Sequence, residues 1–182
     1  MLELALHILD IAENSTRAGA RHVGIHLNED PEHDLLTLEI TDDGAGMDKD
    51  TLARALDPFY TTKKVRRVGL GLPMLAQAAE SAGGQFILTS EPGRGTQLKV
   101  TFGLHHLDRQ PLGDAAGVMV TLIAGNPDID FTYCHEHGDH IYHLSTEEIK
   151  EEIEDVPINH IEVLKYIRNH IAKGIKEIGS EA

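Results

Sequence analysis

Cysteine is almost missing from these 182 residues, with Cys134 standing alone. A single thiol excludes an internal disulfide framework and fits a reducing compartment. Long apolar runs are missing too. The longest, around Val118 to Ala124, is far shorter than the roughly 18 residues that a membrane span needs. No membrane association is expected. The first residues carry neither a basic flank nor a small-residue cleavage site, so no signal peptide is read there. A cytoplasmic protein is expected. Basic residues are scarce: 16 Lys and Arg against 30 Asp and Glu give a formal net charge of −14. That balance argues against non-specific binding to nucleic acid or to anionic lipid. Repeats and low-complexity segments are absent as well. What is present is an ordinary apolar fraction of 41%, enough for a core in one large domain or one domain with a small appendage.

Apolar spacing divides the chain into elements. Leu2 to Ala18 reads as a helix with Leu2, Ala5, Leu6, Leu9 and Ala12 on one stripe and Gly19 as its stop. His22 to Leu27 and Leu35 to Ile40 alternate as strands. Asp48 begins a short helix that ends before Pro58, and Leu70 to Ala82 forms another, stopped by Gly83 and Gly84. The runs QFILTSE and TQLKVTF read as a hairpin around PGRG. Paired strands with helices between them predict an α+β fold: a mixed sheet with helices on one face.

Residues 105–114 form a candidate linker, and Ala115 to Ala124 is either helix or buried strand. Residues 129–134 and 140–144 read as a hairpin, Ser145 with Glu148 as a capping box, and His160 to Ile178 as a last helix. The expected division is residues 1–103 and a small acidic α/β appendage, 104–182.

Four tracts of the first unit share a chemistry. On the first helix His7, Asp10, Asn14 and Arg17 are spaced by three, four and three, a polar stripe on one face. The carboxylate, amide and guanidinium suit water, a metal ion and phosphate respectively. TDDGAGMD puts a carboxylate at a strand end beside Gly-x-Gly. DPFYTTK leads into a basic loop in which Lys63, Lys64, Arg66 and Arg67 are four of the 16 basic groups. Finally VGLGLPM opens a helix whose first amides suit phosphate oxygens. The glycine pair lets backbone approach an anion closely.

The ordered set LDIAENSTRAGA, DDGAG, DPFYTTK, GLGLPML and PGRGT resembles the GHKL ATPases, among them histidine-kinase catalytic domains, anti-sigma-factor kinases, MutL-type proteins, topoisomerase ATPase subunits and heat-shock chaperones. The resemblance covers residues 1 to about 103 and implies a Bergerat-type sandwich that binds ATP and Mg2+. It implies that Asn14 coordinates magnesium and that Arg17 lies near the phosphates. Asp42 would accept from the adenine amino group, with Gly44, Gly46 and Met47 along the base and Thr96 beside Asp42. Thr62, Lys63, Gly69, Leu70 and Gly71 would form the phosphate side. A lid between Lys63 and Val68 is short, so its closure is expected to depend on a partner.

Asp10 stands where MutL-type and topoisomerase members carry a glutamate as general base, and it is one methylene shorter. It is the candidate catalytic residue. The tracts look most like histidine kinases, but no helix pair with a phosphoacceptor histidine stands ahead of the first unit. Action on a separate regulatory or substrate protein is expected, as kinase or slow ATPase. A nucleotide-gated switch with little turnover is the alternative, and self-association as a homodimer is left open.

Residues 104–182 hold 15 acidic against 6 basic side chains, and DRQPLGD with GNPDIDF resembles the tail of ATP-binding proteins that accompany redox enzymes in some anaerobic bacteria. The tract YCHEHGDHIYH offers Cys134, His135, His137, His140 and His143, but strand alternation sets Cys134 opposite to His135 and His137. The spacing matches no zinc pattern.

Overall fold

The computed structural model describes residues 2–57 and 71–182. In chain order its elements are α1 (Leu4–Arg17), β1 (His22–Asp30), β2 (Leu35–Asp42), α2 (Lys49–Arg54), α3 (Gly71–Ser81), β3 (Phe86–Glu91), β4 (Gly95–Gly103), α4 (Ala115–Gly125), β5 (Asp130–His137), β6 (His140–Ser145), α5 (Thr146–Ile153) and α6 (Ile161–Glu177). The length that left 115–124 ambiguous resolves as helix, capped by the Asp114 side chain, which accepts from the Gly117 N–H. Ser145 caps α5 by accepting from the Glu148 N–H, as its spacing predicts.

Among the described residues one mixed sheet runs β3-β4-β2-β1-β5-β6. All neighbours are antiparallel except β1 and β5, which pair in parallel from His22 opposite Asp130 to Glu29 opposite His137. Alternation divides every strand. Val23, Ile25 and Leu27 of β1, Leu36, Leu38 and Ile40 of β2, and Leu98, Val100 and Phe102 of β4 are buried. Phe131 and Tyr133 of β5 and Tyr142 and Leu144 of β6 continue that face. Their neighbours in sequence stay at least partly exposed, except Ser145 at the end of β6, which is buried. The sheet thus has one covered face and one open face.

The cover is built from α1, α3, α4 and α6, whose buried residues join the strands in one apolar cluster. It spans both halves of the sequence. α4 lies against α1 and α6, and Gly174 of α6 packs on the Tyr142 ring so closely that an added Cβ would stand 2.0 Å from it. No helix among the described residues is long and apolar enough to cross a membrane.

The start of α1 is unusual. Its N-cap residue Glu3 supplies no side-chain bond, yet a helix leaves its first amides unpaired. Here Pro111 O accepts from the Leu4 N–H at 2.9 Å, and Leu112 O from the Ala5 N–H at 2.8 Å. The segment after β4 therefore caps the helix that carries Asp10 and Asn14.

Candidate functional site

The polar stripe read on α1 divides in the structure. His7 is buried and its Nε2–H donates to Gln110 Oε1 at 3.0 Å. Burial pushes its pKa below the usual imidazole value despite that bond. His7 anchors the helix from beneath and is not on the candidate site. Asp10 and Asn14 are half-buried, and Arg17 is exposed. Arg17 pairs with Glu13 and donates through Nη1 to Asn14 Oδ1 at 3.3 Å.

Asp10 meets the start of α3. A Cβ built on Gly71 would lie 1.8 Å from Asp10 Oδ2. Side chains cannot approach that closely, so glycine at this position lets the helix start stand against the carboxylate. Two tracts 61 positions apart in sequence, one acidic and one glycine-rich, come together there. Thr62, Lys63, Gly69 and Leu70, with the rest of the basic loop, lie outside the described residues.

Around Asp42 the parity of β2 sets the geometry. Asp42 follows Leu36, Leu38 and Ile40 on the covered face and opposes Thr96 across the β2–β4 ladder. Its Oδ2 accepts from Ser15 Oγ at 2.6 Å and its Oδ1 from the Gly44 N–H at 2.9 Å. A carboxylate has about four lone-pair directions, so acceptor capacity remains for another donor. Thr96 Oγ1 lies 3.0 Å from Ser90 Oγ. Ser90 Oγ accepts from the Met47 N–H at 2.8 Å and donates to Gly95 O at 2.8 Å. Gly46, at φ +66°, sits so near Glu91 that a Cβ would fall 2.0 Å from the carbonyl oxygen, which leaves no side chain an allowed place.

Asp43 turns the other way. Its Oδ1 accepts from the Arg21 and His22 amides at 2.7 and 2.9 Å, and its Oδ2 lies 3.0 Å from His22 Nδ1. The His22 backbone bond first, then the His22 ring and the Arg21 amide, hold its carboxyl down to about 2 against the opposing effect of desolvation. On the open face beside it is a concavity of about 280 Å³ lined by His22, Thr41, Asp43, Asp130, Thr132 and Glu147, among others. That concavity, whose lining also includes Asp42, is acidic and does not suit phosphate.

The fold thus brings together Asp10 with Gly71, Asn14 with Arg17, and Asp42 with Thr96, Gly44, Gly46 and Met47. The donor set fits Mg-ATP chemically. Asn14 offers a neutral oxygen to a hard cation, and Asp42 offers a carboxylate beside backbone too crowded for side chains. Sequence reading passed over Ser15 and Ser90. Ser15 follows the stripe residue Asn14 but points to Asp42, and the register that places Ser90 opposite Thr96 was legible in the hairpin.

Comparison with known proteins adds four findings. The family model described as "Histidine kinase-, DNA gyrase B-, and HSP90-like ATPase" matches residues 2–106. A stretch of 77 residues is 38% identical to the sensor kinase CckA of Brucella abortus (strain 2308), covering 42% of this chain and 8% of that protein. Another, of 72 residues, is 42% identical to sporulation kinase E of Bacillus subtilis (strain 168), covering 40% and 9%. The chain spans less than a tenth of the length of either. Among solved structures, the Aquifex aeolicus MutL ATPase domain complexed with ADP superposes with a TM-score of 0.55 at 15% identity, over 85% of this chain and 68% of that one. At that identity the likeness is one of fold.

Proposed function

The chain belongs to the histidine kinase-, DNA gyrase B- and HSP90-like ATPase family, and on that premise we propose that it binds ATP with Mg2+ and acts as a protein kinase or slow ATPase on a separate partner protein. One observation carries this reading: α1 presents Asp10 against Gly71 at the start of α3, one helical turn from Asn14. In this reading ATP supplies the transferable phosphoryl group and magnesium neutralises its charge. Asp42, held by Ser15 and Gly44, takes the adenine amino group, and Thr96 lines the same pocket. Asn14 holds the metal through its side-chain oxygen. The amides at Gly71 and Leu72 face phosphate oxygens, where the helix dipole favours negative charge. Asp10 orients a water or the partner's hydroxyl or imidazole. Its short side chain favours an acceptor that brings its own nucleophile over efficient hydrolysis.

A second reading, a nucleotide-gated switch that holds or releases a regulatory partner, draws on the capping of α1 by Pro111 and Leu112. Through that contact, residues 104–182 can respond to whatever moves α1.

Incubation with γ-labelled ATP and magnesium, alone and with cell extract, separates these outcomes. Label on another protein is the expected result. Rapid release of free phosphate by the chain alone would overturn the preference for transfer. Retained ATP binding with neither outcome leaves the switch.

A further inference from the structure

Across the open face of the sheet one row of side chains reads Lys99, Glu39, His26, Cys134, His143, each directly opposite the next on the neighbouring strand. At one end the row is ordinary: Lys99 Nζ and Glu39 Oε1 form a cross-strand ion pair at 2.6 Å. At its centre it is not. Glu136 lies two residues beyond Cys134 on β5, so it shares the open face. Its Oε1 is 3.1 Å from His26 Nε2. Yet Nε2, shielded from solvent, makes no hydrogen bond. The carboxylate oxygen therefore stands beside the ring nitrogen, off the direction in which that nitrogen donates or accepts. Cys134 Sγ completes the group, its thiol donating a long hydrogen bond to the same oxygen at 3.9 Å, and the three ligand atoms lie within 4.8 Å of one another.

His26 Nε2 and Glu136 Oε1, adjacent but not hydrogen-bonded, stand as two ligands of one shared ion would. On a tetrahedral centre with Zn–N and Zn–O near 2.1 Å and Zn–S near 2.3 Å, nitrogen and oxygen ligands stand about 3.4 Å apart, sulfur and oxygen about 3.6 Å. The observed 3.1 and 3.9 Å bracket those separations, so these two pairs need shifts of only a few tenths of an ångström, and the third pair lies within 4.8 Å. The ligand types agree. One thiolate, one imidazole and one carboxylate suit a zinc-class ion and not magnesium or calcium, which take oxygen.

We propose that His26, Cys134 and Glu136 bind one divalent cation of the zinc class on the open face of the sheet, with water in the fourth position. Binding transfers the Cys134 thiol proton to solvent and leaves sulfur as thiolate on the metal. This site differs from the histidine cluster that the sequence suggests: His135 is buried on the covered face and His137 binds Ile178 O through Nδ1 at 2.9 Å. It lies on the opposite face from Asp42 and Asn14, and the inference is independent of the proposed function.

The test uses cobalt in place of zinc on the full chain, first stripped with chelator. Thiolate bound to cobalt gives a charge-transfer band in the near ultraviolet, and with one cysteine in the chain that band reports this site alone. One cobalt per chain with the band is expected, displaced by zinc. His26→Ala and Glu136→Gln are expected to weaken cobalt binding at least tenfold, and Cys134→Ser to abolish the band, all with unchanged circular dichroism. In the wild type, zinc is expected to slow alkylation of Cys134, a readout that needs no variant. Cobalt binding without the band, as at other histidines, or undiminished affinity in His26→Ala and Glu136→Gln, overturns the proposal.

Discussion

Asp42 and Asp43 are adjacent and chemically identical, yet strand alternation sends one under the helices and the other to the open face. Asp42 meets Ser15 and the Gly44 amide; Asp43 meets Arg21 and His22. Replacing Asp42 with asparagine sets an amide donor against one of two existing donors and mismatches the proposed adenine contact. A mismatched buried bond costs roughly 1–3 kcal/mol, so ATP affinity is expected to fall about tenfold or more, read by calorimetry. Unchanged affinity in Asp42→Asn removes the adenine assignment. Asp10 allows a second prediction. Its Oδ2 already touches Gly71, so a longer glutamate fits only by turning away from the start of α3. Asp10→Asn is expected to spare ATP binding and, for a kinase, to reduce transfer modestly. A robust wild-type hydrolysis rate abolished by Asp10→Asn would show the base role to be primary. The inward side chains of this site were legible in the sequence because period-2 patterning assigns faces. The meeting of Asp10 with Gly71 was not, because no local pattern reports which helix ends touch.

The elements followed their sequence signals closely where those signals are local. α1 stops where Gly19 adopts φ +77°, and the hairpin of β3 and β4 turns at PGRG. What local pattern did not reveal is pairing between distant strands, above all β1 with β5 in parallel. That pairing explains two inward polar residues. In β1 the buried series Val23, Ile25, Leu27 ends in Glu29, and in β5 Phe131, Tyr133 ends in His135. The two meet, Nε2 of His135 at 2.6 Å from Glu29 Oε1, while Tyr133 Oη lies 3.0 Å from His135 Nδ1. Ser180 Oγ donates to Glu29 Oε1 at 2.5 Å and the Glu181 N–H to Oε2 at 2.7 Å. A polar break in an apolar alternation was the available sequence signal. Desolvation alone would raise the Glu29 carboxyl, but the bonds from His135, Ser180 and Glu181 outweigh it and hold it below its ordinary value of 4.5. A depressed folded pKa stabilises above the unfolded value and loses that contribution as pH falls through the folded one. Glu29→Gln is expected to cost about 1.5–3 kcal/mol at neutral pH. In urea titrations the gap from wild type should close below pH 4.5. A gap constant with pH would mean that charge plays no part in this clamp.

At the scale of the whole molecule, the proposed division near residue 103 marks a change of composition, while the sheet and its core run across it. β1 has β2 on one side and β5 on the other. Removing β5 would bare the backbone of His22–Glu29 as an edge above an apolar face, a template for aggregation. The loss would reach the candidate site as well, since Pro111 and Leu112 cap α1 and Gln110 holds His7. α1 carries Asp10 and Asn14 in its later turns, so its position is set partly from the second half of the chain. A chain ending at Gly103 is expected to aggregate or to melt well below the full chain and to lose ADP binding. A milder change isolates the coupling. Gln110→Ala leaves every proposed nucleotide contact in place but strips the acceptor from the buried His7 Nε2–H, a loss of about 1–3 kcal/mol. If α1 is positioned through this bond, ADP affinity falls in Gln110→Ala together with the melting temperature. A lower melting temperature with unchanged ADP affinity would confine the contact to stability and remove the route by which residues 104–182 could sense nucleotide.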